Sequence, residues 1–366
     1  MSEATGQKTG LDQAVVQAMD QFKVPGMAVG ILHEGVIGAH GYGIANIETD
    51  QPVSPDTIFQ IGSISKIFTT TTIMTFVDEG KLDLDTPVVE YLPDLEFADP
   101  EAGNVITLRH LLSHTSGVFG DHFTDYGAGD DALQKGMADV KTLRQITKPG
   151  ELWTYCNLGF DIAGAIIEKI SGQRFEDVVH ERVLKPIGME HTFYTAQEVI
   201  TYPHAVGHNP VKPGADEVEV AHNWWLSRWV APPGGISSIV ADMLLFAQCH
   251  MNEGKAGDTQ VLSAKSTAAM QEPRTVAGNF AESYGLGWAI DTIDGVKAVS
   301  HGGSTNGFNA HLDLIPSQHF AICTLTNSSR GSAAYRKVIR WALQEYCGLT
   351  SRDPETISLP EDQLKV

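Results

Sequence analysis

Strand-type runs stand near both ends of this chain and helix-type patterns fill the space between, which leaves few folds open. "MAVGILHEG" and "VIGAHGYGIANIE" meet at Glu34-Gly35 and predict a β-hairpin over residues 27–48. Far along the chain, "KAVSHGG", "FNAHLDLIP" and "HFAICTLTN" are three more short runs of strand composition separated by turn residues. Strands so distant in sequence gain a common core only by pairing into one sheet. The expected fold is therefore α/β (α+β): a mostly antiparallel sheet of about five strands flanked by helices, a common sheet size.

Helical spacing marks "LDQAVVQAMDQF", stopped by Pro25-Gly26, and "SAAYRKVIRWALQEY" near the end. Between the strand regions, a helix opened by Ser63 is expected to run to about Glu79 and close at Gly80. "TLRHLLSHTSG" and "NLGFDIAGAIIEKISG" predict helices ending at Gly117 and Gly172, where a C-cap favours glycine, and "SIVADMLLFAQCHMNEG" predicts another. Residues 200–235, rich in proline, glycine and tryptophan, read as a long irregular excursion, a kind of loop that is commonly functional. The whole divides into one domain over 11–346, with an α/β lobe (about 11–80 and 275–350), an inserted helical lobe (about 81–274) and a C-terminal tail at 347–366. The cleft between the lobes is the natural place for a site.

Charge narrows the partners. Lys and Arg number 25 against 45 Asp and Glu, a formal charge of −20, which argues against nucleic acid or an anionic membrane. No apolar run approaches the roughly 18 residues of a membrane span. "MSEATGQKTGLDQ" has no apolar core of a signal peptide, and Cys156, Cys249, Cys323 and Cys347 are scattered, so a reducing cytoplasm is the expected location. "HEGVIGAH" and "HERVL" miss the H-E-x-x-H spacing, so neither a metal nor a cofactor is expected.

Three stretches carry chemistry. In "IFQIGSISKIFTTTTIM" (58–74), Ser63 and Lys66 lie one helical turn apart. A lysine facing a core is costly while charged, so burial favours its neutral form, and a neutral lysine beside a serine is a general base beside a nucleophile. Alone, the spacing also fits a serine at a helix start followed by a lysine whose stem lies along apolar surface. In "WTYCNLGF", Tyr155 can relay a proton and Asn157 can hold the lysine or a substrate carbonyl, although a packed tyrosine and an N-cap asparagine would look the same. In "SHGGSTNGF", glycines at the head of a strand allow close approach to the backbone, as a turn also would.

Together and in this order, the stretches resemble the serine β-lactamase and penicillin-binding-protein-like superfamily, on its class C side. There the middle motif is Y-x-N, here Tyr155-Cys156-Asn157, and "LLSHTSG" and "YGLGW" are phrases of the related hydrolases. The resemblance spans roughly residues 11–346. It implies the β-lactamase/transpeptidase-like fold and an acyl-enzyme on Ser63, with Lys66 as its base and Tyr155 as second proton-transfer residue. It further implies that Asn157 orients Lys66 or the substrate. His301, Gly302, Gly303 and Ser304 would form the facing strand, the N–H groups of Ser63 and Ser304 making an oxyanion hole. β-Lactamases carry a lysine where this chain has His301, an exchange usual in the family's esterases, D-aminopeptidases and D-amino-acid amidases.

The expected activity is hydrolysis of esters or amides of small to medium substrates, a carboxylesterase first. The alternatives are a D-aminopeptidase or D-amino-acid amidase, or a penicillin-binding-protein-like peptidase with weak β-lactamase activity. A non-catalytic binding protein on the same scaffold is the alternative of another class. An α/β-hydrolase is disfavoured because no G-x-S-x-G elbow occurs. The partner would be a small ester, amide or short peptide, and the chain has room to form homo-oligomers. Cys156 reads as a packed thiol, and Trp224, Trp225 and Trp229 either wall an acyl pocket or anchor their loop.

Overall fold

The computed structural model describes residues 10–224 and 226–350. Trp225 and most of the expected C-terminal tail, residues 351–366, lie outside them.

The two strand regions join in one antiparallel sheet. In chain order the strands are β1 (Gly26–His33), β2 (Val36–Asn46), β3 (Gln51–Pro52), β4 (Ser283–Tyr284), β5 (Ala289–Ile293), β6 (Val296–Thr305), β7 (Phe308–Ile315) and β8 (Phe320–Thr326). The spatial order is β4-β5-β6-β7-β8-β1-β2-β3. β1 joins the halves, pairing Met27 with Thr326 on one side and with Tyr42 on the other. The β1–β2 turn places Glu34 at φ +51° and Gly35 at φ +81°, the paired left-handed residues a tight hairpin requires.

Eight strands stand where about five were expected. The five long ones are those read from the sequence. β3 and β4 are two-residue edge strands, too short to show alternation, and β5, "AIDTI", carries a central Asp that masks it.

Both faces of the central strands are covered, which explains their unbroken apolar runs. On one face α1 (Gly10–Phe22) and a last helix, Gly331–Cys347, pack Val15, Met19, Val338 and Leu343 against Met27 and Val29. The opposite face meets the larger core, to which α2 (Ser65–Asp78), α3 (Asn157–Ser171) and α4 (Val240–Met251) contribute.

α2 is buried nearly all round, including its run of four threonines. Thr70, Thr71 and Thr72 donate their hydroxyls to the carbonyls of Lys66, Ile67 and Phe68, four residues back, and Thr69 donates to Pro232 O at 2.7 Å. Satisfied this way, threonine enters a core without an orphaned hydroxyl.

Two helix ends differ from expectation. Ser63 is not an N-cap: it lies in a single 3-10 turn, Gly62–Ile64, that leads into α2 at Ser65. "TLRHLLSHTSG" is helical only over Leu108–Leu112, because His114 takes φ +58° and turns its ring inward. α3 does end as read, with Gly172 at φ +69°. No helix among the described residues is long and apolar enough to cross a membrane.

Candidate active site

The site forms where the 3-10 turn before α2, the start of α3 and the end of β6 meet. Close approach is enforced by glycine. A Cβ on Gly303 would stand 1.9 Å from Ile61 O and 2.9 Å from Ser63 N. Gly62, at φ +52°, faces the same contact from the other side, where a Cβ would stand 2.6 Å from Ser304 N. The residues before Ser63 thus lie against the backbone of Gly303 and Ser304 with no room for a side chain between.

Lys66 is fully buried, and its Nζ donates to Ser63 Oγ at 3.1 Å, Asn157 Oδ1 at 2.7 Å and Pro233 O at 2.9 Å. Three acceptors use all three N–H bonds of an ammonium. Burial nevertheless lowers its pKa to about 7, against a partial upward pull from Asp161, Cys156 and Asp121. Near neutral pH a substantial fraction is therefore the free amine, which can accept the Ser63 proton.

Tyr155 stands on the other side of this pair, its ring centroid 4.9 Å from Lys66 Nζ. Burial drives its phenol well above the ordinary value, and the neighbouring Ser63 hydroxyl pulls it part of the way back. The phenol is thus a proton carrier that stays protonated through the neutral range. Asn157, first residue of α3, ties the group outward by donating Nδ2 to Asp121 Oδ1 at 3.0 Å.

The strand side is neutral. His301 is buried, with Nδ1 2.6 Å from Gly302 O and Nε2 3.0 Å from the Tyr284 hydroxyl. A carbonyl only accepts, so Nδ1 carries the proton and Nε2 accepts from the tyrosine. Burial, followed by the nearby Lys66, lowers the His301 pKa to about 3, so it brings no charge at neutral pH.

Sequence reasoning assigned no role to several groups found here. His114 Nδ1 accepts the Cys156 backbone N–H at 2.9 Å, and its ring packs on Tyr155 with centroids 4.3 Å apart. Tyr284, in the quoted phrase "YGLGW", holds His301. Phe280 is 44% exposed and leans on both Tyr155 and His301. The phrases "LLSHTSG" and "YGLGW" were the available signals for the first two.

The remaining candidates resolve structurally. Burial pushes the Cys156 thiol up to about 11, so it is a packed, protonated side chain. Trp229 is fully buried and donates to His122 O, while Trp224 donates to Ala205 O, both at 2.9 Å. Both tryptophans anchor their loop. A cavity of about 580 Å³ bounded by Gln60, Trp224, Arg228 and Gly235 includes none of Ser63, Lys66 or Tyr155 in its walls.

A catalytic domain of serine acyl-transfer chemistry is the class that this fold and site define, and comparison with known proteins agrees. The β-lactamase family profile matches residues 11–345, so the chain belongs to the β-lactamase family and is a serine hydrolase of that family. It is 33% identical over 347 residues to penicillin-binding protein 4 of Amycolatopsis lactamdurans, covering 93% of this chain and 90% of that one. The octameric penicillin-binding protein homologue from Pyrococcus abyssi has a similar structure, with TM-score 0.78 and 27% identity over 92% of this chain and 78% of that one. A class C β-lactamase shares the fold, with TM-score 0.76 and 23% identity over 93% and 98% of the two chains.

Proposed function

We propose that the chain hydrolyses amides, and activated esters along with them, through an acyl-enzyme on Ser63. The observation that carries this reading is the fully buried Lys66 amine 3.1 Å from Ser63 Oγ, with a pKa lowered to about 7. Neutral Lys66 takes the Ser63 proton as Oγ bonds to the substrate carbonyl carbon. The backbone N–H groups of Ser63 and Ser304 receive the oxyanion. As the carbon–nitrogen or carbon–oxygen bond breaks, Tyr155 gives its proton to the leaving atom and regains one from the Lys66 ammonium. Water then adds to the acyl-enzyme, the same groups taking its proton and returning one to Ser63.

The raised pKa of Tyr155 supports amide substrates. An amine leaves only when protonated, and a phenol that holds its proton at neutral pH can supply it. An activated ester needs no such donor. Neutral His301 offers no fixed cation to a β-lactam carboxylate, so β-lactamase activity should be weak. A carboxylesterase is the competing reading.

Initial rates on p-nitrophenyl butyrate and alanine p-nitroanilide, with Ser63→Ala as blank, test the proposal. Both should fall to background in Ser63→Ala. Tyr155→Phe should reduce anilide turnover on the order of 10²-fold and ester turnover less. Ester turnover with no measurable anilide turnover would make the enzyme a carboxylesterase. A serine-reactive fluorophosphonate should add its mass at Ser63, and an adduct elsewhere would overturn the assignment.

A further inference from the structure

The charge left open in the cleft is negative. Asp121 lies on the loop after His114, pressed against the Tyr155-Cys156-Asn157 stretch. A Cβ on the preceding Gly120 would stand 2.5 Å from Cys156 Cα and 2.9 Å from Tyr155 O, and Leu158 N donates to Gly120 O at 3.1 Å. The position of the Asp121 backbone is therefore fixed by α3. Its Oδ1 accepts from Asn157 Nδ2, whose amide oxygen in turn holds Lys66, so three hydrogen bonds lead from Ser63 to the Asp121 carboxylate.

Asp121 is nonetheless exposed, and no Lys, Arg or His pairs with it among the described residues. The groups around the nucleophile supply no permanent counter-charge. His301 is neutral, burial holds His114 neutral, and Lys66 is half titrated near pH 7. A substrate carboxylate placed here would meet the Asp121 carboxylate with only the half-titrated Lys66 to offset it. An ammonium would find an acceptor fixed from behind by Asn157 and open in front.

We propose that Asp121 binds a positively charged amino group next to the scissile carbonyl, so that the preferred substrates are aminoacyl amides and short peptides with a free amino terminus. Asp121 is then the residue that separates free amines from their acylated counterparts. The proposal deepens the reading of Ser63 as nucleophile and rests on it for turnover, but amine binding is measurable without turnover.

Calorimetric titration of Ser63→Ala with D- and L-alaninamide and with their N-acetyl derivatives makes that separation. At least one free-amine enantiomer should bind about tenfold or more tightly than its acetylated form, and the preference should vanish in Ser63→Ala/Asp121→Asn. Equal affinities, no binding of either form, or a preference that survives Asp121→Asn would overturn the proposal whatever the enzyme's activity. In the otherwise native enzyme, Asp121→Asn should lower kcat/KM about tenfold for alanine p-nitroanilide and little for its N-acetyl derivative. Equal losses on both would make Asp121 a support for Asn157 instead. Absence of any Ser63-dependent turnover, with amine binding intact, would sink the nucleophile assignment alone.

Discussion

The two walls of the cleft solve different problems. The helix wall, Ser63, Lys66, Asn157 and Asp121, is a chain of hydrogen bonds that can hold and move protons. The strand wall, His301 to Ser304, offers neutral groups and backbone, and its tolerance is steric: two glycines let it touch the turn before α2. The difference teaches that the charge state of the amine beside Ser63 is set by its burial, whereas the fit of the strand wall is set by how closely two backbones approach.

Lys66→Met strikes the first wall hardest. Turnover should fall on the order of 10⁴-fold, because among the described residues Lys66 is the amine bonded to Ser63, while the Tyr155 phenol beside it stays protonated. The same variant probes linkage. Below about pH 7 folded and unfolded chains both bind the lysine proton. Between about 7 and its ordinary 10.5 only the unfolded chain does, so the Lys66 contribution shifts toward the folded state as pH rises. Denaturation midpoints at several pH values should show wild type gaining on Lys66→Met across that window. Parallel curves would mean that Lys66 keeps its proton when folded.

Gly303→Ala tests the second wall. A methyl 1.9 Å from Ile61 O forces the turn and β6 apart. kcat should fall on the order of 10²-fold through the displaced oxyanion donors, with a smaller loss of thermal stability. Unchanged kcat would remove Ser304 N–H from the oxyanion hole.

The smallest effect sharpens the contrast. kcat/KM should rise with pH through a single ionisation near 7, as Lys66 deprotonates. His301→Gln should leave that limb in place, since His301 is already neutral across it. A limb that moved would assign the titration to the imidazole and make the strand wall the proton-handling one.

Much of this was legible beforehand because its signals are local. β1 and β8 run largely apolar, β7 alternates apolar with polar residues, and α3 closes on a glycine in the left-handed conformation. Ser63, Lys66, Tyr155 and Asn157 were singled out by spacing and order, and the fold brings all four together. Asp121 was not legible as a site residue, and His114 only through the phrase "LLSHTSG". Asp121 lies in a loop whose pattern resembles any polar turn, and only its contact with Asn157 distinguishes it. The tryptophans were ambiguous for the same reason: an indole that walls a pocket and one that anchors a loop have the same neighbours in sequence.

The sequence by itself determined the sheet's main strands, the helix that carries Lys66 and the side chains proposed to react, since periodicity and short-range spacing encode these. Tertiary structure decided their chemical state. Whether Lys66 is a charged surface group or a half-neutral base, and whether His301 can hold an anion, depends on burial and on partners roughly 90 to 170 residues away, such as Asn157 and Pro233. Desolvation belongs to the packed whole, because it is set by which water is excluded, and no short stretch of chain specifies that.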